Sequence, residues 1–87
     1  MDRKTFMREL SADGVTELVS VTRETGALGT HVHPFEAKAL VLDGELTIEV
    51  DGVSSRYGVG DVFHLPANCA HAERYGPQGV TYLVGRK

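Results

Sequence analysis

The groups best suited to chemistry in this sequence are its 4 histidines, and two of them stand one residue apart in Thr30-His31-Val32-His33-Pro34-Phe35. Side chains alternate between the faces of a β-strand, so His31 and His33 share one face if the segment is extended. Two imidazoles on one face are either two arms of a metal site or polar residues on a wet strand, and the pair alone leaves both open. A third histidine closes the segment Gly60-Asp61-Val62-Phe63-His64-Leu65-Pro66-Ala67-Asn68-Cys69-Ala70-His71. Pro66 fixes φ and Asn68 tolerates the left-handed region, so Pro66-Ala67-Asn68 is expected to form a tight reversal aiming His71 back along the preceding strand. Glu73 and Tyr75 follow at steps of two and share the His71 face. Glu73 is therefore a candidate metal ligand or general base, against the alternative of a strand residue paired with Arg74. Tyr75 is a candidate acid, against packing with a satisfied hydroxyl. His64 relays protons if its face is turned inward, and is a surface residue otherwise. Glu36 is a further candidate ligand, on condition that Pro34 disturbs the strand register. Cys69 is read as a partly buried free thiol.

Short strands must position these groups. Asp-Gly occurs at Asp13-Gly14, Asp43-Gly44 and Asp51-Gly52, and Asp-Gly between apolar runs signals a hairpin. Between these and the other Gly and Pro breaks lie β-rich runs at 15–22, 37–42, 45–50, 53–57, 61–65, 70–75 and 80–84. In residues 45–50 Leu46, Ile48 and Val50 share one face and Glu45, Thr47 and Glu49 the other, the pattern of a half-buried antiparallel strand. Residues 39–42 and 80–84 are apolar on both faces and belong in the centre or under a partner. Residues 2–10 read equally as a short helix or as an N-terminal strand. Many short strands with turns every 6–12 residues predict an all-β sandwich or barrel.

Together these segments resemble the cupin superfamily. Its first motif runs Gly, five residues, His-x-His, three or four residues, Glu, six residues, Gly; here Gly26, His31, His33 and Gly44 follow that order, with four residues after Gly26. Its second runs Gly, five residues, Pro-x-Gly, two residues, His, three residues, Asn; here Gly60, Pro66, Asn68, His71 and Tyr75 stand at those places. The resemblance covers about residues 26–75, with motifs at about 26–44 and 60–75, and implies a cupin jelly roll, a double-stranded β-barrel over residues 1–87 with the histidines in its mouth. The glutamate position of the first motif falls on Ala37, and alanine cannot ligate. What the resemblance leaves is His31, His33 and His71, with Glu36 or Glu73 as an additional donor. Three imidazoles with open positions suit a divalent transition metal: Fe, Zn, Ni or Mn. The implied function is a metal-dependent enzyme on a small organic molecule, an oxidoreductase of dioxygenase type, an isomerase or a lyase. A non-catalytic binding or sensor module, and a metal-free structural dimer, are the alternatives. Ala37 and Ala39 are expected to face inward and open space in the cavity.

Composition narrows the partners. The chain has 87 residues, a net charge of −3 and no run of Lys or Arg longer than two, which argues against nucleic acid or an anionic membrane surface as partner. No apolar stretch approaches the roughly 20 residues of a membrane span. The start, MDRKTFMREL, lacks the apolar segment of a secretory signal, and the single cysteine permits no internal disulfide; the expected location is the cytoplasm. A small-molecule ligand and a homodimer are the expected partners, with strand exchange through residues 4–10 as one route to the dimer.

Overall fold

The computed structural model describes residues 1–87: one helix, α1 (Arg3–Ala12), followed by six strands, β1 (Glu17–Arg23), β2 (Gly26–His31), β3 (Ala37–Val50), β4 (Val53–Gly58), β5 (Val62–Leu65) and β6 (His71–Arg86). All strand pairs are antiparallel. The sheet order is β1-β6-β3-β4, with β2 also on β6 and β5 also on β3. The two long strands are the frame. The first half of β6 lies between β2 and the second half of β3; its second half lies between β1 and the first half of β3. A sheet built this way curls into a jelly-roll barrel with apolar residues inside.

Two of the three Asp-Gly signals do other work than closing a hairpin. Asp51 and Gly52 both have positive φ, 51° and 78°, and close the β3–β4 hairpin as expected. Asp43-Gly44 lies within one continuous β3, which the sequence reading divides into two strands, and β6 likewise joins residues 70–75 and 80–84. Register shifts flank Asp43 and Gly44 in the β3–β6 ladder, so the glycine signals mark bulges that bend two long strands. Gly44 has φ 72° and Gly79 φ 73°, and a Cβ on Gly44 would lie 2.0 Å from the Gly79 carbonyl oxygen. The backbones touch at the bend.

Residues 3–12 are helical, the first of the two readings of the N-terminus. Asp2 caps the helix, its carboxylate accepting from the Thr5 N–H at 2.8 Å, which satisfies one of the donors a helix start leaves free. Asp13-Gly14 ends it: Gly14 has φ 75°, its N–H donates to Ser11 O and the Val15 N–H donates to Leu10 O, the bonding of a Schellman cap. Phe6 and Leu10, one turn apart, pack on Leu40 and Leu83 of the outer sheet face. Gly85 lets the helix approach, since a Cβ there would meet Leu10 and Val15 side chains within 2.9 Å. Lys38 ties the helix down through Glu9 at 3.0 Å. The helix is the partner that residues 39–42 and 80–84 need for their outward apolar faces. Their inward faces join the barrel core, where Ala39, Val41, Leu46, Phe63, Val80 and Val84 cluster.

Candidate metal centre

β2 and β6 bring His31 and His71 face to face. Leu28 pairs with Glu73, and His31 pairs with His71 after a register shift. Without that bulge Thr30 would stand opposite His71, and the His31 ring would point outward. The hydrogen-bonded ladder stops at His31, yet burial continues to alternate through His33, Phe35 and Ala37, so His33 faces inward from the connecting loop. The predicted reversal holds this loop. Asn68 adopts φ 62°, the Cys69 N–H donates to Pro66 O, and the Asn68 N–H donates to His33 O at 2.8 Å.

One ring nitrogen from each of His31, His33 and His71 lies within 4.8 Å of the others. Three nitrogens bound at 2.0–2.1 Å to a common ion stand about 3–3.5 Å apart, so the rings would close by about one to two ångströms on an ion. Two rings are locked in the tautomer that ligation needs. His31 Nδ1 lies 2.7 Å from Gly29 O and His71 Nδ1 lies 3.0 Å from Cys69 O. A carbonyl only accepts, so each Nδ1 carries a proton, and each ring in its neutral form would present an Nε2 lone pair. Both lone pairs face one carboxylate. Glu73 Oε2 is 3.2 Å from His31 Nε2 and 3.5 Å from His71 Nε2. Glu73 and His71 are buried, and His31 Nε2 is buried with no hydrogen-bond partner despite its close oxygen neighbour. An ionised carboxylate offers only lone pairs. With both rings unprotonated at Nε2, three lone pairs converge in a buried place, an arrangement relieved by a metal ion or by a proton shared with the carboxylate. The three histidines form the group that could hold a metal ion, and Glu73 is the carboxylate nearest to two of them, where the first motif has Ala37.

His33 has no such carbonyl partner; its ring stacks on Phe35 at 4.9 Å. Burial, followed by the neighbouring His31 and His71, holds its pKa below the usual histidine value. Its folded-state pKa is therefore lower than its unfolded one. Between the two values the unfolded chain binds more protons, so folding stability falls as pH drops through about 6.5 toward the folded pKa. Urea unfolding of the metal-free protein from pH 8 to pH 5 should show this loss, and His33→Asn should flatten it. An equal slope in the variant would assign the loss to other groups.

The other sequence candidates lie elsewhere. His64 is half exposed on the outer face, its Nε2 3.6 Å from Glu36 Oε1. The alternation that buries Phe63 and Leu65 turns His64 outward, so it is no proton relay for this cavity. Glu36 is outward for the same reason, and Pro34 does not alter the parity, so Glu36 is no ligand. Tyr75 sits in the barrel core, 8 % exposed, and its hydroxyl lacks a hydrogen-bond partner. Burial and then Glu73 raise its pKa. It is a neutral core residue outside the cavity lining, not the cavity's acid. Cys69 is a partly buried free thiol, as expected.

The cavity beside the histidines has a volume of about 90 Å³. Ala37 lines it, as the alternation predicts, together with Phe63, Leu65 and Tyr82. Burial and then Glu73 push the Tyr82 hydroxyl up to about 12, making it a neutral donor. Arg23 and Arg86 also line the cavity, and the sequence reading passes over both. The signal was available: Arg86 follows Tyr82 and Val84 at steps of two, and Arg23 follows Val21.

With fold and site described, relatives can be placed. A family model described as the cupin domain matches residues 18–76. Among solved structures, an RmlC-like cupin from Shewanella frigidimarina is similar at 26% identity and TM-score 0.64, covering 80% of this chain and 65% of its own. The EutQ protein of Clostridium difficile gives 14% and 0.71, covering 88% and 55%. The DMSP lyase DddQ from Ruegeria pomeroyi gives 27% and 0.67, covering 80% and 36%. The chain thus spans about two thirds or less of the length of these structures. No curated protein sequence matches. The domain match over most of the chain, the bent barrel and the histidines in its mouth agree: this chain belongs to the cupin domain family.

Proposed function

We propose that this cupin binds a divalent transition metal through His31, His33, His71 and Glu73, and acts on a small organic molecule in the adjoining cavity. The observation that carries the reading is the convergence of the His31 and His71 Nε2 lone pairs on the Glu73 carboxylate, in tautomers fixed by Gly29 and Cys69. Fe, Zn, Ni and Mn all accept this donor set. A bound ion would supply Lewis acidity to a substrate oxygen. The chain's own residues would orient the substrate: Phe63, Leu65 and Tyr82 exclude water, and the Tyr82 hydroxyl donates. The DMSP lyase similarity supports lyase chemistry as one class to test, beside dioxygenase and isomerase chemistry.

A second reading, a metal-binding module without turnover, is favoured by a specific feature of the lining. Once Glu73 is a ligand, no other carboxylate or imidazole lines the cavity to serve as a free general base. Metal analysis by mass spectrometry on protein purified without an affinity tag tests the common part. About one metal per chain, lost in His33→Ala, is the expected result. No uptake from Fe, Zn, Ni or Mn would end both readings. Turnover of O₂ or of a panel of small acids and thioethers by the loaded protein separates the first reading from the second.

A further inference from the structure

Arg86 is a cavity residue with unused hydrogen-bonding capacity. Its guanidinium lies 4.8 Å over the Phe35 ring, and Phe35 stacks in turn on His33, so one aromatic ring separates the charge from the histidine cluster. Its Nη1 reaches Glu17 Oε1 at 3.3 Å, and Glu17 is 61 % exposed on the rim. Its Nε is buried and has no partner, and Nη2 makes none of the side chain's hydrogen bonds. Nε and Nη2 form one edge of the guanidinium, with two parallel N–H groups spaced for the two oxygens of a carboxylate. A buried N–H without an acceptor is costly, and a ligand carboxylate removes that cost.

Charge points the same way. The cavity holds Arg23 and Arg86 against one carboxylate, Glu73, and a metal ion would add two further positive charges. Glu17 offsets part of this only at the exposed rim. A low-dielectric cavity of net positive charge favours an anionic occupant. The space beside the histidines is small, about 90 Å³, which favours a small acid as occupant.

We propose that the Nε–Nη2 edge of Arg86 is a carboxylate clamp, and that the ligand of this cupin is a small carboxylic acid held there with its other end toward the histidines. The second contact rests on the metal-site reading; the clamp does not.

The test is a titration of ¹⁵N-labelled protein in metal-free and Zn²⁺-loaded forms, followed at the Arg86 Nε resonance in the parent and at the backbone amides of residues 82–86 in the parent and the variants. The probes are acetate, pyruvate and malonate, with the matching amides as neutral controls. At least one acid should move the resonance in both forms, and the amides should not. Arg86→Met should weaken binding of that acid roughly 10- to 100-fold, the range for losing a hydrogen-bonded charged partner. Arg86→Lys should stay within a few-fold of Arg86→Met, because lysine keeps the charge and loses the fork. Retained amide dispersion in both variants shows that they fold. Silence toward all three acids overturns the clamp, as does parent-like binding by either variant. If Zn²⁺ fails to load while an acid still moves Arg86, the metal reading fails and the clamp stands.

Discussion

Glu73→Gln is expected to have opposite effects on the metal-bound and metal-free protein. Metal affinity should fall by at least the roughly 10- to 100-fold lost when partners of metal ligands are removed, since a charged donor becomes a neutral amide. The metal-free protein should become more stable. At pH 8 the parent presents the two Nε2 lone pairs of His31 and His71 to carboxylate oxygens 3.2 and 3.5 Å away. The glutamine amide presents two N–H donors instead and can satisfy His31 Nε2, which is buried without a partner. One such bond contributes about 1 kcal/mol. Calorimetric titration with Zn²⁺ and urea unfolding of the metal-free form read the two halves. Unchanged Zn²⁺ affinity would remove Glu73 from the ligand set. A less stable metal-free variant would show that Glu73 serves the fold, through a protonated His31, more than the metal. A site whose parent residue weakens the empty protein is a site kept for its occupant.

The largest effect on folding is expected from Gly44→Val. The new Cβ would enter a position 2.0 Å from Gly79 O, 2.9 Å from its carbonyl carbon and 3.0 Å from Val80 Cα. Each of these atoms belongs to the backbone of β6, so relief requires parting the two longest strands. A φ of 72° adds about 1–3 kcal/mol of strain for a β-branched residue, and overpacking adds about 1–3 more. A domain of this size has about 4–13 kcal/mol in all. Gly44→Val should therefore lower the urea midpoint severely or leave the chain unfolded. Gly58→Ala is the control: its φ is ordinary, and the nearest atom to a new Cβ is Asp61 Oδ2 at 3.9 Å. A Gly44→Val protein as stable as the control would show that the bend can open without loss.

Some glycine signals were legible and some were misread for a physical reason. Asp51-Gly52 closes a hairpin because residues 45–50 and 53–57 have no other way to meet. Asp43-Gly44 has the same dipeptide but becomes a bulge, because β6 runs along β3 on both sides of it. Local sequence states that the chain bends with positive φ; it does not state whether the partner beyond the bend is the same strand. The helix was undecided for a similar reason. Its Asp2 cap and Gly14 stop are in the sequence, but Phe6 and Leu10 choose a helix only because Leu40 and Leu83 offer a surface spaced for one helical turn.

At the site, residue types and spacing by themselves determined an all-β sandwich or barrel, the shared face of His31 and His33, the Asn68 turn and the placement of His71, Glu73 and Tyr75 on one strand face. Period-two alternation carries that information along a single strand. Only the tertiary structure decided which inward residues meet. The β2 bulge sets His31 opposite His71, backbone carbonyls fix the two tautomers, and the barrel closes Glu73 onto both rings while leaving His64 and Glu36 outside. Those outcomes depend on register between strands and on the curvature of the sheet, and neither is written in the local pattern of any one strand.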